Sequence, residues 1–398
     1  MTAIEARIDK LTSAVILLPA QETIQIAGAG PAGLVAAITL ARAGRSVVVH
    51  EAKAEVGHRF QGDLQGLENW STQQDVLAVM REQGITTEFD KIPSISGTAF
   101  DAWGKAYEIK SPEPLFYTVE RGPGPGTLDT TLLHQAQELG VEVRFNSRLR
   151  KIEGAGILAA GPQAADAIAV GFHFETDMEN GFWAICDNNL APKGYAYLLT
   201  MNGIGTVKSC MFTDFTRQRV YVQRTIEAFE KLVGLRMHNP HPHSGIGNFR
   251  IPKSAIHGRH PIVGEQAGLQ DTLWGFGMRY AMTSGVLAAQ CLLNGQDYDR
   301  QWRIVLGKQL LASVVNRIFY GHVPNRGYRW FLQYTTQRGD ARGFLHKLYK
   351  QSPFKRLMLP WLNRYYKSQY QELNCPDEAC MCVQCRCGRP PRSHAISP

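Results

Sequence analysis

The chain has 398 residues, of which 44% are hydrophobic and 20% charged, and its formal net charge is +8. That balance describes a globular protein long enough for more than one core. No run of about 18 apolar residues is present, which excludes a membrane-spanning helix; the apolar stretch AVILLPA is too short, with Glu5 and Asp9 before it, to read as a secretory signal. Residues 341–398 hold 10 Lys+Arg against 3 Asp+Glu, so the basic charge belongs to the C-terminal part and the rest is nearly neutral. Cys186, Cys210 and Cys291 are scattered as reduced thiols of a cytoplasmic protein would be.

The first informative stretch is TIQIAGAGPAGLVAAITLARAGRSVVVHE, residues 23–51. TIQIA reads as a buried strand and LVAAITLARAG as a helix stopping at Gly44, with SVVVH as a second strand ending in Glu51. Gly28 permits the tight turn, Gly30 lets the backbone approach a pyrophosphate, and Gly33, beside Ala32, lets helix pack on strand. The helix N-terminus offers free N–H groups to phosphate. Glu51 is placed to accept from an adenosine ribose and would repel a 2′-phosphate. The turn alone leaves NAD and FAD both open.

Further along, VERGPGPGTLDTTLLHQAQELGVEVRF (119–145) reads as a strand, a glycine-rich loop, a helix and a strand. Residues 66–118 and 166–250 follow a different pattern. Alternating aromatic and β-branched runs such as AIAVGFHFET, GFWAICDN and YAYLLTMN predict an antiparallel sheet. MHNPHPHSGIG (237–247) places His238, His241 and His243 close together, but no acid or cysteine completes a zinc spacing, and a proline-spaced surface loop is expected. VGEQAGLQDTLWGFGMRYAMTSG (263–285) is a second small-residue turn between a strand and a helix, with Glu265 just after the strand.

The two turns and the segment between them resemble, over about 25–295, the FAD-dependent oxidoreductases that include the geranylgeranyl reductases and the aromatic hydroxylases. The second turn is similar to the family's G-D-A-A-G-x-x-D-P-x-x-G-x-G-I. There the acid binds the ribityl chain, a role the resemblance assigns to Glu265, and backbone N–H groups face the flavin, here at Gly275, Gly277 and Met278. Glu265 replaces Asp, and Thr272 replaces Pro. The resemblance gives Arg121 a contact with FAD and Leu149 a backbone contact with adenine. HRFQGD (58–63) is similar to the reductases' R-C-G, so Arg59 and Gly62 flank the flavin while Gln61 stands where the active-site Cys would be. APKGYAYLLTMN is similar to P-x-G-Y-x-W-x-F-P of the reductases' lipid cavity, which makes Tyr195 and Tyr197 the candidates for chemistry on the substrate. The paired W-x-W-x-I-P of flavin halogenases is not found.

The implied architecture is α/β. A discontinuous Rossmann-type FAD-binding domain (22–65, 119–165, 251–295) carries an inserted antiparallel-sheet substrate domain (66–118, 166–250), followed by a helical appendage (296–370) and a Cys-rich tail (371–398). From Arg342 to Tyr370 there are seven basic residues, no acid and many rings. That composition suits either a helical cover facing its own core or peripheral contact with an anionic membrane. No nucleic-acid reading module accompanies it. Cys375, Cys380, Cys382, Cys385 and Cys387 are dense enough to hold zinc or an iron–sulfur cluster, or else form a tail of free thiols. Three functions follow as expectations. The first is a cytoplasmic FAD enzyme, fed by NAD(P)H or a ferredoxin-like donor, that reduces or desaturates carbon–carbon bonds of a hydrophobic, isoprenoid-like molecule. The others are an aromatic monooxygenase using NAD(P)H and O2, and a non-catalytic flavin or metal redox sensor.

Overall fold

The computed structural model describes residues 22–162, 165–249, 251–350, 352–355 and 357–358. Strands β1 (Ile24–Ala27) and β2 (Val47–His50) pair in parallel around helix α1 (Pro31–Arg42). Their side chains are almost all buried, as in a parallel sheet covered by helices. Pro31 opens α1 at a position where its missing N–H costs nothing.

The chain then builds β3 (Asp63–Glu68), α2 (Val76–Glu82), β4 (Lys91–Ser94), β5 (Ser96–Asp101), β6 (Ala106–Lys110) and β7 (Phe116–Arg121). It returns through α3 (Leu128–Glu138) to β8 (Glu142–Arg144) and β9 (Gly156–Leu158). These last two complete a four-stranded parallel sheet in the order β8-β2-β1-β9. A parallel bridge from Leu158 to Ile262 brings the second turn beside the first.

Strands β10 (Ala167–Glu175), β11 (Gly181–Cys186), β12 (Tyr195–Met201) and β13 (Ile204–Met211), helix α4 (Gln218–Val233) and β14 (His238–Gly247) come next. Together they make a seven-stranded sheet in the order β14-β10-β13-β12-β11-β5-β6. It is antiparallel except where β5 joins β11 in parallel, a mixed edge that the alternating pattern did not predict. The expected surface loop at 237–247 is also corrected. His238–Gly247 is a strand, because its backbone finds a ladder on β10 despite two prolines at the sheet edge. A smaller sheet, β3-β7-β4, is tied across the gap by Leu64 N–H donating to Thr206 Oγ1 at 3.0 Å.

After the short hairpin β15 (Ile256–His257) and β16 (His260–Pro261) come helices α5 (Met278–Asn294), α6 (Tyr298–Val305), α7 (Gly307–His322), α8 (Asn325–Thr336) and α9 (Ala341–Tyr349). Helix α5 crosses α1 so closely that a Cβ on Gly285 would lie 2.2 Å from Ala32 O. Several rings of α8 and α9 face inward, while Trp330 is exposed. Tyr328, Leu332, Leu345 and Tyr349 share one core with Phe116 of β7 and with Trp70, just after β3, so this part of the appendage is a cover built into the fold. Residues 359–398, including all five tail cysteines and the distal half of the basic aromatic segment, lie outside the described residues.

Candidate active site

One cavity of about 660 Å³ runs from the first glycine turn, past the second, to the seven-stranded sheet and α8–α9. At its first end, Gly28 has φ of +112°, and an added Cβ would sit 2.2 Å from Ala159 O. A Cβ on Gly33 would lie 2.0 Å from Gly28 O. Gly30 differs. Nothing lies within 4 Å of the place its Cβ would take, and it begins α1 without any side-chain cap. The open position therefore faces the cavity, with uncapped N–H groups and the positive end of the helix behind it. That is the room and polarity a pyrophosphate requires.

Glu51 accepts from Ala29 N–H and Lys53 N–H, both at 2.9 Å, which fixes its carboxylate on the cavity wall. Ala32 and Leu149 line the same end. His50, also on the wall, bonds Ser147 through Nδ1 at 2.8 Å while its buried Nε2 has no partner among the described residues. An orphaned nitrogen beside an acid placed to accept from a ribose fits the adenosine half of FAD.

At the second turn, Glu265 lines the cavity and is held by Arg59 Nη2 at 3.2 Å and Asn248 N–H at 3.3 Å. Burial pushes its carboxyl above the ordinary range, and Arg59 pulls the other way. Gly275, Gly277 and Met278 reach the wall where α5 begins, again without a side-chain cap. Asp271 does not. It folds the turn by accepting from Leu273 N–H, Trp274 N–H and the Tyr349 hydroxyl. Arg121 lines the cavity, yet its guanidinium is held bidentate by buried Asp129 at 2.7 and 2.8 Å and also donates to Gln65. Gly62, expected at the flavin, is off the wall. It packs against Gly122, whose added Cβ would sit 2.9 Å from Gly62 N. Gln61 is turned away as well, its amide donating to His58 O at 2.7 Å.

Beyond the second turn the cavity becomes an apolar chamber, walled by Trp70, Phe116, Phe182, Trp274, Phe331 and Leu345 among others. Tyr195 and Tyr197 of β12 both face it. The Tyr195 hydroxyl is spent, donating to Trp274 O at 2.5 Å. The Tyr197 hydroxyl has no partner among the described residues, and burial keeps its pKa well above 10, so it holds its proton.

Sequence reading missed a polar cluster on this wall. Lys208 lies in β13, 2% exposed, with its ammonium 2.5 Å from Asp63 Oδ1 and 2.8 Å from His243 Nδ1. His243 Nε2 is 2.8 Å from Arg59 O, so Nε2 carries the ring proton and Nδ1 accepts from Lys208. Asp63 is fully buried and also accepts from Thr206 and Gln65. Burial works to raise the Asp63 pKa, but the charge of Lys208 and the hydrogen bonds from Lys208 and Gln65 hold the carboxyl below the ordinary range. The available signal was a lysine inside the apolar strand TVKSCM. No group of three or more His, Cys, Asp and Glu among the described residues is arranged to hold a metal.

Residues 21–160 match the family of FAD binding domains. No curated protein sequence is significantly similar to the chain. The fold is similar to that of a geranylgeranyl bacteriochlorophyll reductase-like protein from Thermoplasma acidophilum, with TM-score 0.67, 16% identity, and 86% of this chain and 100% of that one covered. It is also similar to a p-nitrophenol 4-monooxygenase from Pseudomonas putida, with TM-score 0.57, 15% identity, and 83% and 100% covered. A flavin-dependent brominase gives TM-score 0.59 at 16% identity, with 87% and 100% covered. None of the described helices is long and apolar enough to cross a membrane. The matched domain and the two turns on one cavity identify a FAD-binding oxidoreductase, and its fold is shared with those solved flavoproteins.

Proposed function

We propose that the enzyme reduces, or in reverse desaturates, a carbon–carbon bond of a hydrophobic, isoprenoid-like molecule. The observation that supports this reading is the apolar chamber continuous with the FAD cavity. FAD, when bound, supplies hydride transfer; the chain's contribution is to hold the substrate, exclude water and keep a proton at hand. Gly30, Glu51, Arg59, Glu265 and the turn at 275–278 would hold the cofactor. Arg121 would act at that wall through its fixed fork, set by Asp129. Tyr195, its hydroxyl occupied, serves as wall. Tyr197, with its proton retained and no partner among the described residues, would face the substrate. Gln61 points elsewhere and supplies no acid. Electrons would enter from NAD(P)H or a ferredoxin-like donor.

The test uses chemically reduced, FAD-loaded enzyme under anaerobic conditions. A prenyl compound of suitable length should reoxidise it and gain two hydrogens across a double bond. Tyr197→Phe should slow that step by about tenfold. If only oxygen reoxidises the enzyme and an aromatic compound gains a hydroxyl, the aromatic monooxygenase reading replaces this one.

A further inference from the structure

Among the described residues of the seven-stranded sheet that line the cavity, one side chain is charged, Lys208. Lys208 on β13 and Tyr197 on β12 are cross-strand partners, so their side chains stand next to each other on the face that lines the cavity. An ammonium has three N–H donors. Asp63 and His243 take two of them, and no described residue takes the third. The Tyr197 hydroxyl is likewise unpartnered among the described residues. Two adjacent donors on the sheet wall of the cavity therefore remain without a partner among the described residues.

Charge narrows what could sit there. Lys208 is neutralised by Asp63, and His243 is neutral in the tautomer its Arg59 contact requires. The pair therefore presents hydrogen-bond donors without net positive charge. Such a site suits a neutral oxygen with two lone pairs better than a carboxylate, which would meet the field of buried Asp63. The neighbours keep Lys208 in place. Asp63 comes from β3 beneath the sheet. His243 reaches across Gly171, which stands between them in the register and has no side chain to intervene.

We propose that Lys208 and Tyr197 form a two-donor seat for a carbonyl oxygen on an otherwise apolar substrate, with Asp63 and His243 as positioning residues. This rests on the apolar-chamber reading above and names the substrate class, a conjugated enone. The chemistry agrees. A hydride from bound, reduced FAD, which is thereby oxidised, adds with its electron pair at the β-carbon. The carbon–carbon double-bond pair shifts into an enolate double bond, the carbonyl pair moves onto the oxygen, and a proton ultimately drawn from solvent completes the α-carbon. Donors aimed at that oxygen stabilise the charge as it develops.

Binding to the oxidised, FAD-loaded protein is the test, measured by calorimetry with β-ionone, an isoprenoid enone, and with the hydrocarbon of the same skeleton lacking the oxygen. Lys208→Met should weaken β-ionone about tenfold and Tyr197→Phe about threefold to fivefold, with the hydrocarbon unchanged within about twofold. His243→Leu should also weaken β-ionone selectively, because the ammonium loses one of its two guides. Should Lys208→Met fail to fold with Asp63 left unpaired, the double variant Asp63→Asn/Lys208→Met removes both charges and should give the same selective loss. Equal weakening of both probes shows a merely structural lysine and overturns the proposal, as does unchanged β-ionone binding. If neither probe binds the wild-type protein while a longer prenyl hydrocarbon does, the seat is wrong and the chamber reading stands. If no apolar probe binds, both are wrong.

Discussion

The two glycine turns meet on one cavity, yet they are built by different means. In the first, glycine faces backbone: Gly28 against Ala159 O and Gly33 against Gly28 O, each leaving no space for a methyl group. In the second, the nearest atoms to Gly277 are those of the Gln270 side chain at 3.1 Å, and Gly275 meets only Phe249 at 3.8 Å. Its loop is closed instead by a buried carboxylate, Asp271, collecting two backbone N–H groups and the Tyr349 hydroxyl. Backbone cannot yield, whereas side chains can be exchanged in concert. The first turn therefore matches its family pattern closely, and the second tolerates Glu for Asp and Thr for Pro.

The largest effect that would sharpen this contrast is Gly28→Ala. The methyl group would overlap Ala159 O, and φ of +112° strains any side chain. A loss of about 3 kcal/mol in a urea titration is expected, together with loss of FAD. Gly275→Ala, at φ of +83° but in open space, should cost only about 1 kcal/mol. Equal losses at the two positions would erase the distinction.

The carboxylate that closes the second turn carries its own signature. Burial pushes the Asp271 carboxyl up to about 6 from 3.8, against the pull of Tyr349 and the two backbone N–H groups. The folded protein then holds this proton to about pH 6, while the unfolded chain releases it near 3.8. Its contribution to stability is therefore complete below about pH 4 and declines as pH rises to 6, by at most roughly 3 kcal/mol. Asp271→Asn keeps the shape and removes the titration, so the fall in stability between pH 4 and 6 should flatten. An unchanged slope would move the effect to another group.

How much of this could be seen in the chain itself follows from the same contrast. The cofactor turns were legible because glycine spacing and strand–helix order are local. Lys208 and His243 are 35 residues apart and meet only through the register of β13, β10 and β14. No local pattern encodes that register, and the two prolines of 238–247 argued for a loop. For the basic aromatic segment from Arg342 the sequence left a helical cover and a membrane contact both open, and the place of α8 and α9 in the chamber wall depends on how the helices dock on the sheets. Tyr195 and Tyr197 were found together, yet which hydroxyl is free depends on a carbonyl 79 residues away, at Trp274.

Gly30→Val probes the one glycine of the first turn that packs against nothing. Its φ of −76° accepts a side chain without strain, and the space beyond is open. The apo protein should stay within about 1 kcal/mol of wild type. Its FAD content after purification should nevertheless drop at least tenfold, which corresponds to about 1.4 kcal/mol of affinity. A folded variant with full flavin would remove the pyrophosphate from this position.

The smallest effect is expected at Glu265, whose counterpart Glu51 is fixed by backbone N–H groups alone. Glu265 is held partly by the Arg59 side chain, itself about half exposed, and partly by Asn248 N–H. Glu265→Gln keeps the reach and one acceptor oxygen while giving up the charge that Arg59 meets. Because that ion pair is screened on the Arg59 side, its removal costs little by itself. FAD affinity should fall about threefold, near 0.7 kcal/mol, measured by flavin fluorescence on titration into apo protein. Glu51→Gln replaces an acceptor of two backbone N–H groups by an amide that can accept at only one oxygen, and one N–H is left facing a donor. Its cost should be several times larger. Equal losses for the two acids would mean that Glu265 is as firmly built into the site as Glu51, and that side-chain support in the second turn is no looser than backbone support in the first.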